Sequence, residues 1–148
     1  MTYRHTQVGT VIVGAVVCVA IVTLVILLTA AGTSSLLTLT VLAMTAVALA
    51  LFSALTVEVG NHTLTCRFGV GLIRRDIPLQ DVEQIRAVVN PWYVGWGIRW
   101  IPGKYWVWNV SGFQAVELTM KDGRRFRIGT DEPEALVQAI ELQKSASD

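Results

Sequence analysis

Few side chains in this sequence have the types and spacing for covalent or metal chemistry. Its histidines are His5, near the start, and His62, in a Gly60-Asn61-His62 turn signature. Neither has a second His or Cys at the short interval a zinc site uses, so no metal site is expected. Cys18 falls in an apolar run and Cys66 in a strand-like segment. That separation makes a poor disulfide, and free thiols fit a reducing compartment. Gly95-x-Gly97 lacks the strand–helix context of a nucleotide loop. Asp76 and Asp81 have Pro78 between them and polar neighbours, which suits a surface pair better than an acid–base dyad. The expectation is a non-enzymatic protein with no catalytic residue, no cofactor and no small-molecule substrate.

The residues that stand out are aromatic. Asn90 to Asn109 holds all five tryptophans, with Tyr93 and Tyr105 among them and Arg99 and Lys104 interleaved. Trp and Tyr favour a water–lipid boundary because an apolar ring carries a polar N–H or O–H. Basic side chains there meet lipid phosphates. Trp92, Tyr93, Trp96, Arg99, Trp100 and Lys104 are therefore the candidates for membrane-interface or partner contact. Trp106 and Trp108 alternate in a strand pattern, and one or the other is assigned a structural role.

The elements that position this segment divide the chain in two. From Thr6 to Val57 there is no Asp, Glu, Lys, Arg or His, whereas from Glu58 onward there are 11 basic and 11 acidic residues. A balanced polar half argues against nucleic-acid binding, which needs a dominant basic face. Two apolar runs, 10–31 and 36–55, each have about the 20 residues a helix needs to cross a bilayer. Gly32-Thr33-Ser34-Ser35 between them is short enough only for a turn, which predicts an antiparallel transmembrane hairpin. The first run is too long for the apolar core of a cleaved signal peptide. Arg4 before the first helix and Arg67, Arg74 and Arg75 after the second predict a multi-pass protein of the cell membrane with both termini cytoplasmic. Small residues, Gly14 and Cys18 on one helix and Ala46, Ala50 and Ala54 on the other, are expected to form the seam within the hairpin.

Residues 1–9 read as a cytoplasmic tail and 144–148 as a disordered one. Between Leu55 and the tail the pattern alternates with period two, as strands do. Strands are expected on both sides of Gly60-Asn61-His62, and at 72–77, 82–89 and 104–110. Near the C-terminus the register is readable. Leu118 should oppose Phe126, Val116 oppose Ile128 and Glu117 oppose Arg127, leaving Lys121-Asp122-Gly123 as the loop. A closing helix has Asp131 as its N-cap, Glu134 in a capping box and Pro133 in its first turn, with Leu136, Ala139 and Ile140 inward.

Gly95-Trp96-Gly97-Ile98-Arg99, a following hairpin, and Phe126-Arg127-Ile128-Gly129-Thr130-Asp131-Glu132-Pro133-Glu134-Ala135-Leu136 together resemble bacterial pleckstrin-homology-like (PH-like) domains of small membrane proteins. The resemblance covers roughly 56–142. It implies an α+β chain: the two-helix hairpin, then a PH-like antiparallel β-barrel or sandwich over 56–143 capped by a C-terminal helix. Phosphoinositide-binding relatives carry basic residues at the first hairpin turn, and Gly60-Asn61-His62 has no Lys or Arg. The expected function is a membrane-anchored interaction module for a protein partner or a homo-oligomer, beside the lipid bilayer. The alternative is a lipid-sensing surface built on the Trp-rich loop 90–104.

Overall fold

The computed structural model describes residues 3–29 and 35–146. In chain order it contains β1 Tyr3–Val8, α1 Thr10–Thr29, α2 Ser35–Phe52, β2 Ala54–Gly60, β3 Thr63–Phe68 and β4 Ile73–Pro78. There follow β5 Val82–Val89, β6 Gly97–Ile101, β7 Tyr105–Asn109, β8 Gln114–Met120, β9 Arg125–Gly129 and α3 Pro133–Ser145. Of the turn expected at 32–35, residues 32–34 lie outside the described residues and Ser35 begins α2.

The segment read as an N-terminal tail is a strand. β1 forms the edge of a four-stranded antiparallel sheet ordered β1-β2-β3-β4, with Tyr3 opposite Val59 and Val8 opposite Ala54. The Thr6 and Thr56 hydroxyls share a 2.9 Å hydrogen bond, and Arg4 pairs with Glu58 at 3.1 Å. One residue, Gly9, separates β1 from α1, and one, Ser53, separates α2 from β2. The Gly9 N–H donates to the Ser53 carbonyl at 2.7 Å, so the ladder continues up to the helix roots. The helices thus stand where a hairpin turn would join β1 to β2.

Both helices are apolar on every side, and they pack against each other. α1 has no buried residue. Its 20 residues and hydropathy of 3.3 make it long and apolar enough to cross a membrane, whereas α2 is apolar but shorter, ending at Phe52 rather than Leu55. The hydroxyls of Thr23, Thr29, Thr40 and Thr45 each donate to the carbonyl four residues back at 2.7–2.8 Å, which satisfies them within their own helix. The expected small-residue seam is not the one used. Gly14, Cys18, Ala46 and Ala50 face outward, and Ala54 belongs to β2. Val16, Val41, Thr45 and Ala48 line the seam instead. The direct joins to paired strands set each helix's rotation, overriding any preference for close backbone approach.

The remaining strands form a five-stranded sheet ordered β5-β8-β9-β7-β6. The β8–β9 hairpin has the expected register, Glu117 opposite Arg127 included, and Gly123 in its loop has φ +84°, in the left-handed region that suits glycine. At the β2–β3 turn Gly60 pairs with Thr63, leaving Asn61 and His62 both at positive φ, as a type I′ turn requires. The antiparallel expectation fails at β7 and β9, which are parallel from Trp106↔Phe126 to Trp108↔Ile128. β6, hidden inside the presumed aromatic loop, hairpins with β7, and that pair docks beside β9.

The two sheets stay separate rather than closing into a barrel, and with α3 they enclose one core. Leu55, Val57 and Val59 of β2 and Leu64 and Phe68 of β3 meet Val116, Leu118, Phe126 and Ile128 of the second sheet. Leu136 and Ile140 of α3 close it. Trp108 sits inside between Phe68 and Phe126, with ring centroids 5.3 and 5.7 Å away. The helix starts one residue later than expected. Glu132 is its N-cap without a side-chain cap bond, while Asp131 pairs with His5 at 2.6 Å. α3 continues through Ser145, so the expected tail from 144 begins as helix.

Candidate functional site

Strand direction sorts the loops of the β domain into two ends. At the end from which α1 and α2 leave lie the β3–β4 loop, the Asn90–Trp96 segment and the β7–β8 loop. At the other end lie Asn61-His62, Leu79–Asp81, Pro102–Lys104 and Lys121–Arg124. The two ends differ sharply in polarity. The far loops carry Asp81, Lys104, Lys121, Asp122 and Arg124. The helix-root loops present Val70, Leu72, Trp92, Tyr93 and Phe113, all exposed; Leu72 is 81% and Trp92 80% accessible. Charges near that end are Asp131 and Glu132 after β9, turned back onto His5, and Arg67, Arg74 and Arg75 beside the β3–β4 loop, of which Arg67 pairs with Glu58 and Arg74 with Asp76.

Backbone bonds fix these loops against the helix roots. Gly69 and Val70 donate to the carbonyls of Ala54 and Ala50 at 2.8 and 3.1 Å, placing the β3–β4 loop against the last turn of α2. The approach leaves no room for a side chain at Gly69, which also has φ +46°. On the α1 side, Ser111 accepts from Gln7 Nε2 at 3.3 Å and shares a 3.0 Å hydroxyl bond with Thr10. Beside it runs a groove of about 750 Å³. Val11, Ile12, Ala15 and Val16 form one wall; Trp92, Tyr93, Trp96 and Phe113 form the other, with Arg99 at its margin.

A buried ionic cluster supports the base of the aromatic segment. The Glu117 carboxylate is fully buried, and Arg127 Nε donates to it at 2.6 Å while Arg86 donates from the other side. Arg127 also donates to Asn90 Oδ1 at 3.0 Å and stacks on Tyr105, 3.7 Å from the ring centroid. Burial pushes the Glu117 carboxyl up, but the hydrogen bonds and charges of Arg127 and Arg86 outweigh it and hold the pKa below its ordinary value. Asn90 begins the aromatic segment, so this cluster sets where that segment leaves the sheet. Asn109, also buried, donates to the carbonyls of Gly112 at 3.0 Å and Gly95 at 3.5 Å, tying the two root loops together. A side chain at Gly129 would strike Asn109, which explains glycine in that position.

The expected candidates separate accordingly. Trp92, Tyr93, Trp96 and Arg99 lie together at the root of α1. Trp100 lies opposite Trp106, ring centroids 6.4 Å apart, on the same face of the β6–β7 hairpin as Trp108 but beyond the edge of the core, where both rings are exposed. Lys104 is in the far turn, so it does not join the root cluster. Of the two strand tryptophans, Trp108 is the buried, structural one and Trp106 is exposed. Val70, Leu72 and Phe113 were missed as candidates, although an apolar Val70-Gly71-Leu72 turn was itself a signal. Among the described residues no group of three or more His, Cys, Asp or Glu could hold a metal ion. No family model matches this sequence, and no curated protein matches it.

Proposed function

We propose that the chain is a membrane-anchored, PH-like β domain that works at the lipid surface, with α1 and α2 spanning the bilayer and the domain seated on the cytoplasmic leaflet. The observation that carries this reading is the polarity of the domain's two ends: exposed Val, Leu, Trp, Tyr and Phe at the helix roots, charged turns opposite. Exposed apolar groups collected on one surface mark a contact surface. Here that surface surrounds the roots of two apolar helices, of which only Ile12 and Phe52 pack against the domain's core among the described residues. α2, with 18 residues, rises about 27 Å, close to the ~30 Å of hydrocarbon, and flanking Trp and Tyr accommodate the difference. Two separate sheets sharing a core with a C-terminal helix support the PH-like kinship. Arg67, Arg74 and Arg75 near the roots support the cytoplasmic side.

A second reading, self-association, is favoured by one observation: the small residues Gly14, Cys18, Ala46 and Ala50 face away from the helix pair, where another copy could approach closely.

Topology is tested by thiol labelling in intact cells. Cys66 cannot report, because it is fully buried and its thiol pKa is pushed up to about 12, chiefly by burial. Gln80→Cys, in an exposed far-end turn, is the better probe. It should resist a membrane-impermeant maleimide until the cells are opened; labelling in intact cells would put the domain outside.

A further inference from the structure

The groove beside the root of α1 has a chemistry that surface seating alone does not use. Its apolar wall, Val11 to Val16, is continuous with the exposed surface that runs along α1, so the groove opens toward whatever surrounds that helix. At its margin Arg99 is exposed and, like Arg75 and Arg125 elsewhere in the domain, has no acidic partner among the described residues. Trp96 lines the same groove, and its Nε1–H is buried without an acceptor among the described residues. Buried donors are normally satisfied. An apolar groove with a guanidinium at its margin matches a molecule with a hydrocarbon chain and a phosphodiester.

We infer that this groove holds one anionic phospholipid, its phosphodiester on Arg99 and an acyl chain along the Val11–Val16 face of α1. The inference rests on the helices spanning the bilayer, which brings lipid to the groove's mouth. Arginine forks match phosphate oxygens in pairs, and the bond is charge-assisted. A zwitterionic headgroup carries its own cation beside the phosphate and competes with Arg99, so an anionic headgroup binds better. The site is distinct from the Asn61-His62 turn, which lies at the other end of the domain.

The test uses the full chain, stripped of lipid in mild detergent and titrated with phosphatidylglycerol or phosphatidylcholine under native mass spectrometry. One phosphatidylglycerol should bind, with phosphatidylcholine about tenfold weaker. Arg99→Gln should weaken phosphatidylglycerol about tenfold, Arg99→Lys should recover part of that, and Val11→Trp, which fills the groove, should abolish the adduct. Equal binding of the two lipids, an unchanged Arg99→Gln, or displacement by millimolar glycerol phosphate would each overturn the inference. A nitroxide at Val70→Cys, on the opposite side of the root, separates the two claims in bilayers of the same lipid. If lipid binding fails while that label stays lipid-exposed, the groove assignment falls and the seating stands. If the label is in water, the seating itself falls.

Discussion

Replacing residues 10–52 by Asn-Gly should yield a folded, water-soluble β domain. Gly9 and Ser53 are already bonded across the end of the β1–β2 ladder at 2.7 Å. A two-residue type I′ turn closes such a pair, and the chain uses one between Gly60 and Thr63. The core is built from both sheets and α3, with only Ile12 and Phe52 of the helices packed against its margin. Nothing large is therefore removed from the interior. Membrane-pelleted protein should fall from nearly all to roughly a tenth, since the proposed bilayer spans are removed. The shortened chain should keep a strand-rich circular dichroism spectrum and a cooperative melt. An aggregated or unfolded product would mean that the helices belong to the fold of the domain, and the insertion account would be wrong.

In that soluble domain Glu117→Ala should be the most damaging single change. The carboxylate is 0% exposed and holds Arg127, whose side chain is only 12% exposed. Breaking a buried pair leaves one charge uncompensated and typically costs about 3–5 kcal/mol. The lower end fits here, since Arg86 reaches water and Arg127 keeps Asn90 and Tyr105. For a domain of this size the melting temperature should drop by about 10 °C or more. Acid has a related effect. Because the folded pKa lies below the ordinary 4.5, the stabilisation is complete above about that pH and is lost as pH falls through the folded value. In Glu117→Gln that part of the acid sensitivity should vanish. A melt of Glu117→Ala within a degree or two of the parent would show the cluster to be energetically idle.

What could be read from the sequence followed from locality. The β8–β9 register needed only alternation, a glycine at the loop and one charge pair within a dozen residues. The Asn61-His62 turn and the inward face of α3 were equally local. β1 was missed because its partner, β2, lies beyond both helices, and Tyr3-Arg4-His5-Thr6-Gln7 shows no apolar alternation. β6 was hidden by aromatic residues that look alike in a loop or a strand. The β7–β9 pairing is parallel and non-local, so no hairpin rule reveals it. Helix rotation was unreadable for another reason: helices apolar all round have no stripe to orient, and the strand joins decided it.

The same locality governed the site. Trp92, Tyr93, Trp96 and Arg99 were found by residue type. Their separation from Lys104 depends on β6 running away from the helix roots. Phe113 and the Val70-Gly71-Leu72 tip came into view only once three distant loops were seen at one end of the domain. The helices thus join the domain through two adjoining residues, Gly9 and Ser53, which together fix their direction relative to the first sheet.

The seating of that end is tested most directly by nitroxide labels at Val70→Cys, Trp92→Cys, Gln80→Cys and Asp122→Cys, each in a Cys18→Ser full chain in lipid bilayers. Power saturation compares collision with oxygen, which concentrates in lipid, and with a water-soluble nickel complex. Positions 70 and 92 should favour oxygen while 80 and 122 favour nickel. Nickel access at 70 and 92 as high as at 80 and 122 would contradict the account.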